Sequence, residues 1–394
     1  MNDRHIILIG NYAADKQESM LRFSSFLYRS LKERGISCSL LQPSSRFGKI
    51  APGVRGAGKW LGYLDKFILH PSELVKQVNK QSGPCLVHIC DHSNAFYLKH
   101  IKETPHLITC HDLIAIKAAQ GLFAHQQTRF TGKVLQKMVT QGLMAAKTIA
   151  CDSIKTQQDL TEVLGIRKEN TTHVPLCPFY PYRPMPREEA DAKIAKAIPE
   201  FSRPPPPFIL HVGSDAWYKN RTGVLHIYKS LKILTGSPDR LVFVGPPPSK
   251  EMRVHLKNYK IEDCVHFIEA TSNDILRALY SRAELLLFPS KEEGFGLPIL
   301  EALASGCRVL TTDKAPMTEI GGDAAYYIQP LETSNANETA HWAQEGALMV
   351  AKLIAEDPES RKASEEQGML HAQTFNRELT IDRYMKLYQS ILTP

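Results

Sequence analysis

The sequence predicts an α/β protein made of two domains, each a parallel sheet covered by helices. Three observations lead there. At 394 residues the chain is too long for one ordinary core. Short apolar runs alternate with segments of helical period in both halves. A proline-rich stretch, Pro199-Glu-Phe-Ser-Arg-Pro-Pro-Pro-Pro207, interrupts that alternation near the middle, and the pattern restarts after it.

In the first half the strand candidates are Ile6–Ile9, Ser37–Leu41, Leu86–Ile89, Leu107–Cys110, Thr148–Ala150 and Thr172–Val174. Helical patterns separate them. From Met20 to Leu31, residues Met20, Phe23, Leu27 and Leu31 share one face, Ser19 is placed to cap the start, and Gly35 follows Lys32-Glu-Arg34 as a C-terminal stop. Strands alternating with helices imply parallel pairing with helices on both faces. The proline run supports neither a helix nor a central strand and reads as a stiff linker. Beyond it come strands Phe208–Val212, Leu241–Val244, Val265–Phe267, Leu285–Phe288 and Arg308–Thr311, with a helix over Gly223–Leu234. The expected domains are therefore residues 1–200 and 205–375. Pro358–Leu392 reads as amphipathic, with Leu379, Ile381, Tyr384, Leu387, Tyr388 and Ile391 available to pack. Residues 376–394 are expected to form a C-terminal helix returning to the N-terminal domain. Two such halves suggest a cleft between sheets, because open parallel sheets bind ligands beyond the carboxyl ends of their strands.

Composition is that of a globular protein, 43% apolar and 23% charged. No run approaches the roughly 18 to 20 apolar residues of a membrane span, and the segment before His5 does not read as a secretory leader. Eight cysteines occur without a C-x-x-C pair, which suggests reduced core thiols in a cytosolic protein and no structural zinc. Residues 1–200 hold 27 Lys and Arg against 17 Asp and Glu, while the remainder holds 21 against 24. The basic first half suits an anionic partner, such as a phosphorylated acceptor, an acidic membrane surface or nucleic acid; a merely solubilising surface is the plainer alternative.

The segment Leu285-Leu-Leu-Phe-Pro-Ser-Lys-Glu-Glu-Gly-Phe-Gly-Leu-Pro-Ile-Leu-Glu-Ala-Leu-Ala-Ser-Gly306 carries the strongest chemical signal. An apolar strand ends at Phe288-Pro289, a polar loop contains Gly294, Phe295 and Gly296, and Leu297-Pro298 opens a helix. Glycines admit a ligand close to the backbone. The N–H groups and dipole of a helix start suit a diphosphate. Glu293 and Glu301 bracket the turn with seven residues between. Glu301 is the candidate acceptor for ribose hydroxyls, and Glu293 for the transferred sugar and leaving group. A generic strand–loop–helix turn with a solvated acidic loop is the competing reading.

This stretch resembles the retaining glycosyltransferases of family 4, whose signature is two glutamates seven residues apart around a Gly-Phe-Gly-like core. The likeness continues through Ala302–Gly306 and Thr318-Glu-Ile-Gly-Gly-Asp-Ala-Ala325. It implies a GT-B fold, two Rossmann-like domains facing an interdomain cleft. A second similar segment is His211-Val-Gly-Ser-Asp-Ala-Trp-Tyr-Lys-Asn220. Through the resemblance, Gly213, Ser214, Lys219 and Asn220 join the donor site, with Lys219 neutralising the diphosphate. Family members often carry Arg near position 214, where this chain has Ser.

Leu107-Ile-Thr-Cys-His-Asp-Leu113 is similar to the family's strand ending in a His that faces the transferred sugar, so His111 joins Glu293 as a catalytic candidate. Asp112 either orients the imidazole or caps the next segment. The loop Gly10–Met20 departs from the family pattern by holding only one glycine. Residues 47–70 interleave Lys49, Arg55, Lys59 and Lys66 with Trp60, Tyr63 and Phe67. They suit an anionic membrane or a lipid-linked acceptor, or else a helix packing Leu61, Leu64 and Ile68 inward.

No D-x-D tripeptide is present. Neither G-x-G-x-x-G after the first strand nor a P-loop occurs, which argues against a Rossmann dehydrogenase and a P-loop NTPase. The expectation is a metal-independent, retaining transferase without a cofactor. It would move a mannose- or glucose-type hexose from a nucleotide sugar to a glycan or lipid-linked acceptor in bacterial polysaccharide or glycoconjugate synthesis. It would be cytoplasmic or peripheral at the inner membrane face, with no nucleic-acid partner. The alternatives are an epimerase or phosphorylase on the same fold, or a non-catalytic glycan- or nucleic-acid-binding relative.

Overall fold

A computed structural model describes residues 4–15, 17–44, 46–47, 62–81, 83–124, 126–236, 239–269, 271–332 and 335–393. The chain divides into two compact units, one of residues 1–179 with 377–394 and the other of residues 180–376.

In the first unit the elements run β1 (His5–Ile9), α1 (Glu18–Glu33), β2 (Cys38–Leu41), α2 (His70–Asn79), β3 (Cys85–Ile89), β4 (His106–Cys110), α3 (Ile114–Ala119), α4 (Phe130–Ala145), β5 (Ile149–Cys151), α5 (Ile154–Leu164) and β6 (Thr171–His173). The described strands form one parallel sheet in the order β2-β1-β3-β4-β5-β6. All five residues of β3 and of β4 are buried, as expected of strands covered on both faces. Ile7, Val87, Ile108 and Ile149 from successive strands share a core with Tyr97, Val139 and Leu143.

The second unit contains α6 (Arg187–Ala197), β7 (Phe208–Val212), α7 (Arg221–Thr235), β8 (Arg240–Val244), α8 (Lys250–Tyr259), β9 (Val265–Ile268), α9 (Asn273–Arg282), β10 (Leu285–Phe288), α10 (Leu297–Ala304), β11 (Val309–Thr312), α11 (Met317–Gly321), β12 (Tyr326–Ile328), α12 (Ala336–Ile354) and α13 (Pro358–Gln373). Its parallel sheet has the order β12-β11-β10-β7-β8-β9. This is the doubly wound arrangement, with the order reversing between β7 and β10. The last helix, α14 (Arg377–Leu392), belongs to the first unit. There the Tyr388 hydroxyl lies 2.7 Å from His88 Nδ1 and Tyr384 Oη lies 3.1 Å from Thr109 Oγ1.

Several expectations shift. The units divide at Phe179/Tyr180 and not near residue 200. The reason is that α6 is tied to α9 ahead of the proline run: Asp191 accepts from Arg282 at 2.6 Å and Lys193 donates to Asp274 at 2.6 Å. The prolines therefore lead into β7 inside one unit. Helix α1 starts at Glu18 with Gln17 in the capping position, so Ser19 lies within the first turn and does not cap. Gly35 adopts φ +71° just beyond α1, a left-handed stop. The stretch Pro358–Leu392 is two helices, and Leu379 faces outward while Ile381, Tyr384, Tyr388 and Leu392 are buried. Strand β12 escaped the sequence reading, since three residues following Gly321-Gly322 carry almost no periodic signal. All eight cysteines are free, and all except Cys264 are buried.

Candidate functional site

In the second unit the loops following β7 and β10 meet where the strand order reverses, the place at which doubly wound sheets bind ligands. Both loops are shaped by local chemistry. Gly213 passes close over the buried His211 ring, since a Cβ there would lie 3.2 Å from His211 Nε2. Trp217–Lys219 make one short 3-10 turn, and Asn220 follows at φ +52°. Asn220 Nδ2 donates to the Pro289 carbonyl at 3.0 Å, and Lys291 N donates to the Tyr218 carbonyl at 2.7 Å. The two loops are thus laced together. Gly296, at φ +105°, turns the chain into α10, with Pro298 in its first turn. Phe295 is buried and meets Phe375 edge-on.

This lacing brings Lys219 and Glu293 into direct contact. Lys219 Nζ donates to both carboxylate oxygens, at 2.7 and 2.9 Å. The side chains are only 15% and 7% exposed. The ammonium also lies 5.2 Å from the Phe288 ring centroid. The neighbouring Glu292 turns away and pairs with Lys314. Glu301, on α10, accepts from the Tyr280 hydroxyl at 3.2 Å. Gly294, Leu297 and Pro298 are half-buried beside them, whereas Ser214 is exposed. Next to Ser214, Asp215 accepts from Arg221 at 3.1 Å. Arg221 is buried, donates at 2.6 Å to the Pro246 carbonyl and stacks over Phe243. It secures the loop from beneath. His211 is fully buried and donates through Nδ1 to the Leu287 carbonyl at 2.9 Å. Burial lowers its pKa to about 3, so it is neutral.

The first unit gathers its own polar group at the carboxyl ends of β1, β3, β4 and β5. Its order reverses between β1 and β3, and there Asn11 and Asp91 are hydrogen-bonded. His111 is buried and follows β4 directly. Its Nδ1 is bonded to Asp152 and its Nε2 donates to the Cys90 carbonyl at 2.9 Å. Its ring stands edge-on to Phe23, with centroids 4.9 Å apart. Burial alone would lower its pKa, but the Asp152 charge and hydrogen bond, with Asp91 behind, raise it to about 9. His111 is therefore a cation donating from both nitrogens. Asp112 caps the next segment, accepting from Ile114 N at 2.8 Å, and Asp152 is the residue that orients the imidazole.

Sequence reasoning did not single out Asn11, Asp91, Asp152, Tyr280 or Arg221. The first three share a legible signal: each is a polar residue one or two positions past the end of an apolar strand, as His111 is. In the basic-aromatic segment 47–70, residues 48–61 lie outside the described residues, Leu61 among them. In the part that is described, Leu64 and Ile68 are 38% and 59% exposed, contrary to their expected packing. Phe67 packs instead, 4.7 Å from Phe96, and Lys66 is paired to Asp15 at 2.6 Å. The chain enters that stretch as a π-helical turn, Asp65–Leu69, which rotates the side chains off the expected face.

The chain is similar to known proteins in sequence and in fold. Residues 194–346 match the family described as Glycosyl transferases group 1. The chain is 22% identical over 300 residues to an O-antigen chain mannosyltransferase B of Escherichia coli, covering 76% of this chain and 73% of that protein. It is 30% identical over 125 residues to the O-antigen chain mannosyltransferase RfbU of Salmonella typhimurium, covering 31% of this chain and 34% of that protein, about a third of its length. In three dimensions it resembles a sucrose-phosphate synthase from Thermosynechococcus elongatus, with TM-score 0.71 at 18% identity, covering 98% of this chain and 99% of that one.

Proposed function

We propose, from the premise that this chain is a glycosyltransferase of the glycosyl transferases group 1 family with a GT-B fold, that it moves a hexose of the mannose or glucose type from a nucleoside diphosphate sugar. The acceptor is a glycan or lipid-linked saccharide in bacterial polysaccharide or glycoconjugate synthesis. Transfer proceeds with retention and without a metal. The relatives named as O-antigen chain mannosyltransferases support the substrate class.

The observation that carries the reading is the Lys219–Glu293 pair at the reversal point of the second sheet, beside the start of α10. A diphosphate placed there meets one ammonium and a helix N-terminus, both favouring negative charge. As the sugar–phosphate bond breaks, charge grows on the leaving diphosphate, and a preformed cation stabilises that change without reorganisation. Glu293, released from Lys219, then faces the electron-poor sugar. Glu301, held by Tyr280, accepts from the ribose hydroxyls. The family resemblance assigns His111 a hydrogen bond to the transferred sugar; within the first unit its Nε2 donates to the Cys90 carbonyl. Its positive charge, fixed by Asp152, keeps both nitrogens donors.

A thermal-shift panel of GDP-, UDP-, ADP- and dTDP-sugars tests this. One donor class should raise the melting temperature of the wild type, and Lys219→Met should lose most of the rise. A panel in which no nucleotide sugar stabilises the folded chain would remove the donor site from consideration.

A further inference from the structure

The polar sheet edges of the two units are furnished in opposite ways. In the second unit, α7 and α10 begin beside Lys219 and Glu293, and neither has a side-chain cap or an acidic residue in its first turn. Their leading N–H groups are left for an anion. In the first unit the chain takes up the corresponding starts itself. Asp91 accepts from Ser93 N at 2.9 Å and opens the 3-10 helix His92–His100. Asp112 accepts from Ile114 N at 2.8 Å ahead of α3. At the head of α5, Ser153 Oγ accepts from Thr156 N at 3.1 Å. Helix α1 lacks a side-chain cap but carries Glu18 in its first turn.

The charge at the first unit's edge is negative. His111 and Asp152 offset one another. Asp91 remains: burial alone would raise its pKa, but the charges of His92 and His111 and hydrogen bonds from Asn11 and Ser93 lower it, so it stays ionised. Asp112, half-buried, adds a second carboxylate. Among the described residues, lysines of the neighbouring elements are already paired, Lys66 with Asp15, and Lys117 and Lys155 with Asp159. Arg22, one turn into α1, is exposed to solvent. One buried polar atom is left over: Asp152 Oδ1 has no hydrogen-bond partner, on a residue only 1% exposed. A carboxylate oxygen is satisfied only by a donor. A sugar hydroxyl, or a water it holds in place, brings a proton. A phosphate ester, with its second pKa about 6, brings more acceptor oxygens.

We infer that the first unit's edge takes an uncharged saccharide, so that the end of the acceptor substrate that receives the hexose carries no phosphate. This rests on the transferase reading above and narrows it, since the sequence left a phosphorylated acceptor open. Asn11, His92 and Asn94 complete the polar group, each buried, and Asn94 Nδ2 donates to Asn11 Oδ1 at 3.2 Å. Amides and an imidazole beside carboxylates offer donors and acceptors together, which matches hydroxyls and not a phosphate. The two units thereby divide the chemistry. The uncapped helix starts lie with Lys219, and the occupied ones lie with His111 and its carboxylates.

The test is a nuclear magnetic resonance titration of the full chain with methyl α-mannoside, methyl α-glucoside and the 6-phosphate of each. No nucleotide sugar is present, so the outcome stands apart from the donor panel. Parallel runs in Lys219→Met identify any phosphate captured by the second unit. A neutral glycoside should bind in the millimolar range and its phosphate at least about tenfold more weakly, as like charges at one site oppose each other. Asp91→Asn and Asp112→Asn should each narrow that preference roughly fivefold. Melting curves check the fold of both, and the wild-type ratio decides alone where a variant does not fold. Equal or tighter binding of a phosphate by Lys219→Met would overturn the inference, and its loss in Arg22→Gln would name the cation responsible. A preference that neither folded Asp variant alters would also overturn it, as would failure of every glycoside to bind.

Discussion

Replacing Glu293 by Gln should move binding and turnover in opposite directions. Lys219 is held by two carboxylate oxygens at 2.7 and 2.9 Å, and both side chains are mostly buried. At a charge separation near 3.3 Å and an effective dielectric of about 20, the Coulomb attraction is about 5 kcal/mol. Desolvation leaves about 1 to 3 kcal/mol of it as a net contribution. A diphosphate must compete with Glu293 for that ammonium. Glu293→Gln keeps shape and volume, removes the competitor, and should tighten a free nucleoside diphosphate by roughly tenfold, about 1.4 kcal/mol. The same change removes the carboxylate that faces the electron-poor sugar, so turnover should fall by about 100- to 1,000-fold. Calorimetry with the nucleoside diphosphate reads the first effect and a donor-consumption assay the second. Lys219→Met serves as the opposite control, losing about 1.5 to 3 kcal/mol of diphosphate binding. Unchanged or weaker diphosphate binding by Glu293→Gln would refute the competition, and near-wild-type turnover would refute the role given to Glu293.

Two further outcomes concern stability. His111 is raised to about 9 in the folded chain against 6.5 unfolded. Its contribution is therefore complete below pH 6.5 and lost as pH climbs from there through 9. His88 and His211, both lowered to about 3, act at the other end, since the unfolded chain takes up their protons first as pH falls below 6.5. Urea midpoints across pH 5 to 10 should show both limbs, with the alkaline one flattened in His111→Gln; parallel alkaline limbs in the two proteins would count against the ion pair. Gly245 stands at φ +145° with an added Cβ only 2.1 Å from the Gly213 carbonyl oxygen. Gly245→Ala should cost more than about 2 kcal/mol in urea unfolding and loosen the loop that carries Lys219, and a loss below about 0.5 kcal/mol would contradict that close approach.

Much of the architecture was written locally. Leu285–Phe288 is a strand from end to end as its unbroken apolar run implied, and the helix opens at Leu297-Pro298 after the glycine loop. Such features depend on propensity and turn chemistry within a few residues. Residues 180–200 were misassigned because a proline run marks where regular structure stops, not which core the flanking helix joins. The segment after Gly322 hid a three-residue strand for want of length.

The amino-acid order carried the alternation of strands and helices and the glycine turn beside Glu293 and Glu301, and its family resemblance made Lys219 and His111 candidates. That Lys219 reaches Glu293, 74 positions away, while Glu292 pairs with Lys314, follows from long-range packing. The same packing decided that Asp152, 41 positions from His111, orients the imidazole in place of the adjacent Asp112. Local sequence sets which side chains stand at the ends of strands. The order in which strands enter a sheet sets which of those ends become neighbours, and that order depends on the packing of the whole core.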